Sequence, residues 1–426
     1  MIGEVKLTGA VKALGLGHFI GLRCGRLWFT DRAGRGYLIV LRAVNLSARI
    51  RRTRLNILQV IPQMHAGGAE RTVLEVAEAI IADGGQAVVA SSGGRLVADL
   101  EALGARHVTL EMATKNPLKV WTNADKLAQL IRAEKIDIVH ARSRAPAWSA
   151  KWAARRTHIP FVTTYHGFYK AKSRLKRWYN SIMAQGDRVI ANSEFTARHV
   201  REEHEIDPNR LRVIPRGVDL DQFDPALVNP ERIKAHRAAW GAGPEKLAIV
   251  LPGRLTRWKG QLLMIEALAR LKLDPGPLLV CLGEGGDKPE YQAEIKAAAD
   301  AAGVDLALPG HTTDIAAAYM AADLVVCPSL EPEAFGRTAA EAQAMGARVI
   351  VADHGGAREV VRDGETGWRA APGDAEAWAK AVKAALSLNA EGANTLALAA
   401  RKRVRTHFSK VQLQQATLRV YRELLD

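Results

Sequence analysis

The stretch LEPEAFGRTAAEAQAMGARVIVADHGG, residues 330–356, decides the reading of this chain. Thr338 to Met345 holds mostly Ala, Glu, Gln and Met, all strong helix formers, and Gly346 stands where a C-terminal cap belongs. Residues 348–352 then read as a buried strand that Gly355-Gly356 breaks. Glu333 and Glu341 enclose seven residues, with Phe335-Gly336-Arg337 opening the helix between them. The free N–H groups of a helix start bind an anion, typically phosphate. With a carboxylate on either side to accept hydroxyl hydrogen bonds, the arrangement suits a sugar nucleotide.

Outward from this stretch, strands and helices alternate. Strands are expected at 247–251, 278–282, 305–308, 323–327 and 348–352, with helices at 260–272, 289–302, 314–321, 336–346, 356–362, 373–388 and 392–407. Upstream, strands are expected at 57–61, 86–90, 136–139, 161–165, 188–191 and 212–214. Such alternation implies parallel sheets covered on both faces, an α/β class with two Rossmann-like domains facing a central cleft. The expected organisation is a basic N-terminal extension at 1–54, a first Rossmann-like domain at 55–217, a linker at 218–245 and a second Rossmann-like domain at 246–408. A final helix, 409–426, packs back toward the N-terminal domain.

The 426 residues suffice for two cores. Apolar content of 48% and charged content of 25% are those of a globular protein. Cys24, Cys281 and Cys327 show no paired spacing, which argues against a disulfide framework or zinc site and for a reducing cytosol. No apolar run reaches the ~20 residues of a membrane span, and no clean signal-peptide cleavage site follows residues 10–22. The formal charge of +15 is concentrated: 1–54 carries +9 and 142–188 carries +10. Fields of that sign attract anionic lipid, acidic substrates or nucleic acid. Residues 1–54 read as an irregular leader, disordered or apposed to a membrane. Gly15-Leu16-Gly17 has the wrong spacing for a dinucleotide loop.

Open parallel sheets bind ligands at strand ends. Gly67 and Gly68 follow the first strand, where glycine lets backbone approach a phosphate. Thr163-Thr164-Tyr165-His166-Gly167 ends another first-domain strand. Gly253-Arg254-Leu255-Thr256-Arg257-Trp258-Lys259-Gly260 follows the first strand of the second domain, so Arg254 and Lys259 can grip one diphosphate. Gly283-Glu284-Gly285 closes the next strand.

These motifs, in this order over about residues 56–424, resemble the retaining glycosyltransferases of family four, which have the GT-B fold. The resemblance implies that the domain at 55–217 binds the acceptor and the domain at 246–408 the nucleotide sugar. It implies that His166 meets the donor sugar near the reacting carbon and that Arg254 and Lys259 clamp the diphosphate. It implies that Glu333 contacts the sugar or reaction centre and Glu341 the ribose. Gly283 would border the nucleotide, and backbone N–H groups of Phe335, Gly336, Arg337 and Thr338 would hold the pyrophosphate. Glu331 adds an acid beside the expected one; the count to Glu341 favours Glu333.

Glu-Ala-Phe-Gly-Arg-Thr with Glu-Ala-Gln-Ala-Met-Gly looks like bacterial lipopolysaccharide-core hexosyltransferases. The expected donor is a GDP- or UDP-linked sugar, mannose or glucose type. No Asp-x-Asp signature stands at a strand end, so no cofactor or metal requirement is implied. Lys170, Lys172, Arg174, Lys176 and Arg177 interleave with Trp178 and Tyr179, which suits an anionic glycolipid or lipid-linked glycan acceptor at the inner face of the cytoplasmic membrane. No nucleic-acid motif is present. The competing readings are a sugar-nucleotide epimerase of the same fold and a non-catalytic sugar-nucleotide-binding membrane scaffold.

Overall fold

The computed structural model describes three backbone strands in residues 1–53, and residues 54–426 except 66, 170, 172 and 285–288. The chain divides into two units, Met1–Arg54 and Leu55–Asp426. In the first, β1 (Phe19–Arg23), β2 (Arg26–Thr30) and β3 (Gly36–Val40) pair antiparallel in that order. The basic leader read as irregular therefore contains a small sheet. Whether its remaining residues are ordered or membrane-apposed lies outside the described residues.

In the second unit, β4 (Asn56–Val60) leads into α1 (Gly68–Ala82), β5 (Gln86–Ser91), α2 (Val97–Ala102) and β6 (Arg106–Thr109). There follow α3 (Pro117–Ala133), β7 (Ile138–Ala141), α4 (Arg144–Thr157), β8 (Phe161–Tyr165) and α5 (Arg174–Ser181). Finally come β9 (Arg188–Ala191), α6 (Glu194–Glu203) and β10 (Leu211–Val213). The seven strands are all parallel in the order β10-β9-β8-β7-β4-β5-β6. The direction of winding reverses between β4 and β7. Such a switch point opens a crevice at the carboxyl ends of the strands.

The next stretch is read from sequence as an aperiodic linker, yet it holds α7 (Pro230–Trp240). Local signals make this helix rather than an apolar stripe: Asn229 caps it, Pro230 opens it, and Gly241 closes it at φ 74°. Only Trp240 of the helix is buried, so no helical period shows.

The second sheet comprises β11 (Ala248–Pro252), β12 (Leu278–Leu282), β13 (Leu306–Gly310), β14 (Leu324–Cys327), β15 (Val349–Ala352) and β16 (Trp368–Ala370). It too is parallel, in the order β13-β12-β11-β14-β15-β16. Its helices are α8 (Gln261–Ala269), α9 (Pro289–Ala302), α10 (Ile315–Ala321), α11 (Arg337–Ala344), α12 (Ala357–Val360), α13 (Ala375–Leu386) and α14 (Ala390–His407). Two parallel sheets of this kind make the GT-B architecture. The expectation omitted β6 and β16, short edge strands with few apolar residues.

The chain then returns to the first sheet. Val218 and Ser409 pair where the two interdomain segments cross. α15 (Lys410–Arg422) packs against α1, placing Leu413, Leu418, Val420 and Tyr421 in the N-terminal core. Tyr421 Oη lies 2.6 Å from His140 Nδ1, a ring buried completely inside β7.

Candidate active site

The second sheet reverses its winding between β11 and β14, and the strand ends of both sheets border one cleft that two cavities line. The smaller, about 540 Å³, is bordered by His166 after β8, Arg216 after β10, and the loop Glu331–Arg337. The larger, about 730 Å³, is bordered by Gly67, Arg254, Gly283, Thr338 and Glu341, and by the strand-end loop His311–Thr313. Arg337 borders both.

The turn after β11 turns back on itself because Gly253 (φ 142°) and Gly260 (φ 79°) adopt conformations that side chains resist. A Cβ on Gly283 would lie 2.2 Å from the Gly253 carbonyl oxygen, so two strand-end loops touch through bare backbone. Arg254 is exposed toward the larger cavity. Lys259 turns inward instead, and its Nζ lies 2.7 Å from Glu333 Oε1. Ser329 Oγ donates to the same carboxylate oxygen. Burial pushes the Glu333 carboxyl up, but Lys259 and the two hydrogen bonds outweigh it, leaving the group below its ordinary range. It is ionised at neutral pH.

α11 starts at Gly336, whose φ of 94° turns the chain sharply into the helix. Phe335 contributes backbone only, since its ring is buried against Phe408 at 5.5 Å. One turn into the helix, Glu341 is held: Arg337 Nε donates to it at 2.8 Å and Tyr319 Oη at 3.3 Å. Arg337 also reaches across the cleft to Glu75 Oε1 on α1 at 3.0 Å. This ion pair joins residues 262 apart in sequence.

His166 sits beside Arg216, with Nη2 3.4 Å from its Nδ1. Burial first, then Arg216 and Arg142, hold its imidazole well below the ordinary histidine range, so the ring is neutral at pH 7. Its Nε2 is buried with no hydrogen-bond partner among the described residues. Gly68 has no room for a side chain: a Cβ there would lie 1.6 Å from Arg216 Nη1. Gly68 thus serves Arg216 rather than bordering either cavity.

Sequence reasoning therefore located both walls of the cleft. It missed Arg216, Glu75, Tyr319 and the loop His311–Thr313. Arg216 and that loop both follow strands, so the strand-end rule would have found them; Glu75 and Tyr319 carry no local signal. Of the basic patch, Lys176 borders the smaller cavity and Arg174 is exposed on α5. Arg177 lies 3.4 Å from Glu203. Lys170 and Lys172 lie outside the described residues. Leu175 and Trp178 on α5 are 74% and 58% exposed.

Residues 66–222 match the model of Glycosyltransferase Family 4, and residues 232–403 that of Glycosyl transferases group 1. A solved glycosyltransferase from Rickettsia africae is 36% identical, with a TM-score of 0.82 over 88% of this chain and 99% of its own. The Anabaena protein HepE, solved with UDP-glucose, shares the fold at 23% identity and a TM-score of 0.75, over 87% of this chain and 100% of its own. The D-inositol 3-phosphate glycosyltransferase of Mycobacterium ulcerans is 31% identical over 310 residues, 68% of this chain and 64% of that protein. The chain thus spans somewhat under two thirds of the curated relatives it matches. Those relatives are named for an inositol phosphate acceptor, so the family is shown and the lipopolysaccharide-core subgroup is not specifically shown.

Proposed function

The chain belongs to the GT-B glycosyltransferases, and on that premise we propose that it moves a hexose, glucose or mannose type, from a nucleoside-diphosphate sugar onto a cell-envelope glycan, with retention of configuration. The observation that carries this reading is the sharing of Arg337 by the two cavities. A donor whose nucleotide occupies the larger cavity, beside Glu341 and Arg254, can reach its pyrophosphate to the start of α11. Its sugar then enters the smaller cavity between Glu333 and His166.

In the reaction the bond from the sugar C1 to the phosphate oxygen breaks, and a bond from C1 to the acceptor oxygen forms on the same face. The departing phosphate oxygen takes the acceptor proton. Arg254, Lys259 and the α11 N–H groups offset the charge that grows on the leaving diphosphate, the type of preorganised stabilisation that dominates such steps. Glu333, ionised and fixed by Lys259, accepts from a sugar hydroxyl. His166, neutral, offers Nε2 to the sugar. These cations perform the task a metal performs elsewhere, and we read transfer as metal-independent; full activity after exhaustive EDTA treatment is expected.

A lipopolysaccharide-core acceptor fits the exposed Leu175 and Trp178 among the cations of α5. Among the described residues no helix is long and apolar enough to cross a membrane. We place the protein peripherally on the inner face of the cytoplasmic membrane. Neutralising Lys170, Lys172, Arg174, Lys176 and Arg177 together is expected to weaken binding to anionic vesicles by at least about 100-fold, from about 1 kcal/mol per cation. Unchanged binding would refute the membrane reading.

The test of the transferase reading is a thermal-shift panel of UDP, GDP, ADP and their hexose conjugates. One nucleotide class is expected to raise the melting temperature, since a ligand at a hundred times its dissociation constant adds about 2.7 kcal/mol. Donor turnover without acceptor consumption would instead favour an epimerase, and binding without turnover a scaffold.

A further inference from the structure

We infer that the smaller cavity binds a phosphate ester on the acceptor, with Arg216 as the central ligand and Arg144 and Lys176 beside it. The inference rests on the transferase reading above and names the class of acceptor that reading leaves open.

Arg216 is a buried cation that no described carboxylate touches directly. Its residue is only 9% exposed. Among the described residues its guanidinium makes two long contacts, 3.4 Å to His166 Nδ1 and 3.5 Å to the His166 carbonyl oxygen, and its Nε has no partner. No described carboxylate forms an ion pair with it. Glu75 and Glu70 attract it from beyond ion-pair distance, and Glu75 is committed to Arg337 at 3.0 Å. Burial first, then the neighbouring Arg337, pull the Arg216 guanidinium down to about 10, a large displacement for arginine. Removing a cation from water without an anion is strongly unfavourable. The fold nonetheless builds the position, because Gly68 leaves out a side chain to make room for the guanidinium.

The rest of the wall repeats the charge. Arg144 borders the same cavity, stacked over the Tyr169 ring at 4.1 Å, with Nη1 donating to Asn180 Oδ1 at 2.8 Å. Burial pushes the Tyr169 hydroxyl up while Arg144 and Arg216 both draw it down, so the two cations lie near the same ring. Lys176 completes the rim. Two carboxylates also border the cavity: Glu333 is tied to Lys259, and Glu331 is itself engaged. Three cations facing one space match a phosphate dianion better than a single carboxylate, and arginine forks bind phosphate oxygens two at a time. The donor diphosphate has its own cations, Arg254 and Lys259, on the other sheet.

The test uses the full chain saturated with whichever of UDP, GDP or ADP raises its melting temperature. Inorganic phosphate and acetate are then titrated at constant ionic strength. Phosphate is expected to raise the melting temperature further and saturably, and acetate not. Arg216→Gln is expected to weaken phosphate binding at least tenfold more than it weakens nucleotide binding, with Arg216→Lys intermediate. Equal responses to phosphate and acetate, or equal losses for phosphate and nucleotide, would overturn the inference. If neither variant folds, the phosphate–acetate contrast in the unaltered protein decides. No response to any nucleoside diphosphate sinks the transferase reading; a nucleotide response without the contrast sinks the phosphate site alone.

Discussion

Lys259 Nζ stands 2.7 Å from Glu333 Oε1, and each side chain is only 15% exposed. The pair joins the turn after β11 to the loop before α11, so one contact serves both stability and charge placement. Removing one partner of a buried pair strands the other, at about 3–5 kcal/mol. Lys259→Ala is therefore expected to lose stability and at least about 100-fold in turnover. Arg254→Ala, at an exposed position, is expected to lose similar turnover with little change in melting temperature. Chemical denaturation and steady-state rates on the two variants check this, and near-normal turnover in both sinks the diphosphate role.

His140 and His166 are both held well below the ordinary histidine value of 6.5, by burial first, then by Arg142 for His140 and by Arg216 and Arg142 for His166. The folded protein resists protonation that the unfolded chain accepts. Stability is nearly constant above about pH 7.5 and falls as pH drops through about 6.5, by about 1.4 kcal/mol per histidine between pH 7.5 and 5.5. His166→Asn is expected to reduce the loss between pH 7.5 and 5.5 by about that amount. An identical loss in both proteins would mean that His166 protonates freely within the fold.

Two glycines separate stability from turnover. Gly336 has φ 94°, and a Cβ there would lie 2.9 Å from the Ala357 Cα, so Gly336→Ala strains backbone on both sides. It is expected to lower stability by about 1–3 kcal/mol. Gly68→Ala instead meets the tip of Arg216 at 1.6 Å. Displacing that guanidinium is expected to cut turnover at least tenfold with a smaller loss of stability. The opposite ranking of the two variants would disprove the roles given to them.

Tyr421 closes the fold from its last helix. Its hydroxyl lies 2.6 Å from His140 Nδ1, while His140 Nε2 lies 2.7 Å from Thr164 Oγ1, so both ring nitrogens are engaged. Tyr421→Phe leaves a buried nitrogen unpaired and is expected to destabilise by about 1–3 kcal/mol. Equilibrium denaturation measures it, and a change under 0.5 kcal/mol would show that the pair does not hold α15 in place.

What the sequence by itself determined is local. Apolar runs such as Leu278–Leu282 are buried on both faces, so their composition alone marks them as inner strands of a parallel sheet. Open parallel sheets place ligands at strand ends, which is why His166, Arg254, Lys259 and Glu333 stand out as candidates in the sequence itself. The helix start at Gly336 was legible from its glycine and the good helix formers after it. The edge strands β6 and β16 and the helix α7 were not, because their residues bury little and leave no period.

Only the tertiary structure decided how those ends meet. Arg216 looks like a surface cation in Ile-Pro-Arg-Gly until β10 delivers it behind Gly68 and beside His166. Glu75 is one charged residue on an amphipathic helix until α11, from the other sheet, brings Arg337 to 3.0 Å. Spacing along a chain reports which neighbours a residue has within a helix or strand. It carries no record of which loop a second domain will place opposite, and the ion pairs that span the cleft exist only once both sheets have folded and faced each other.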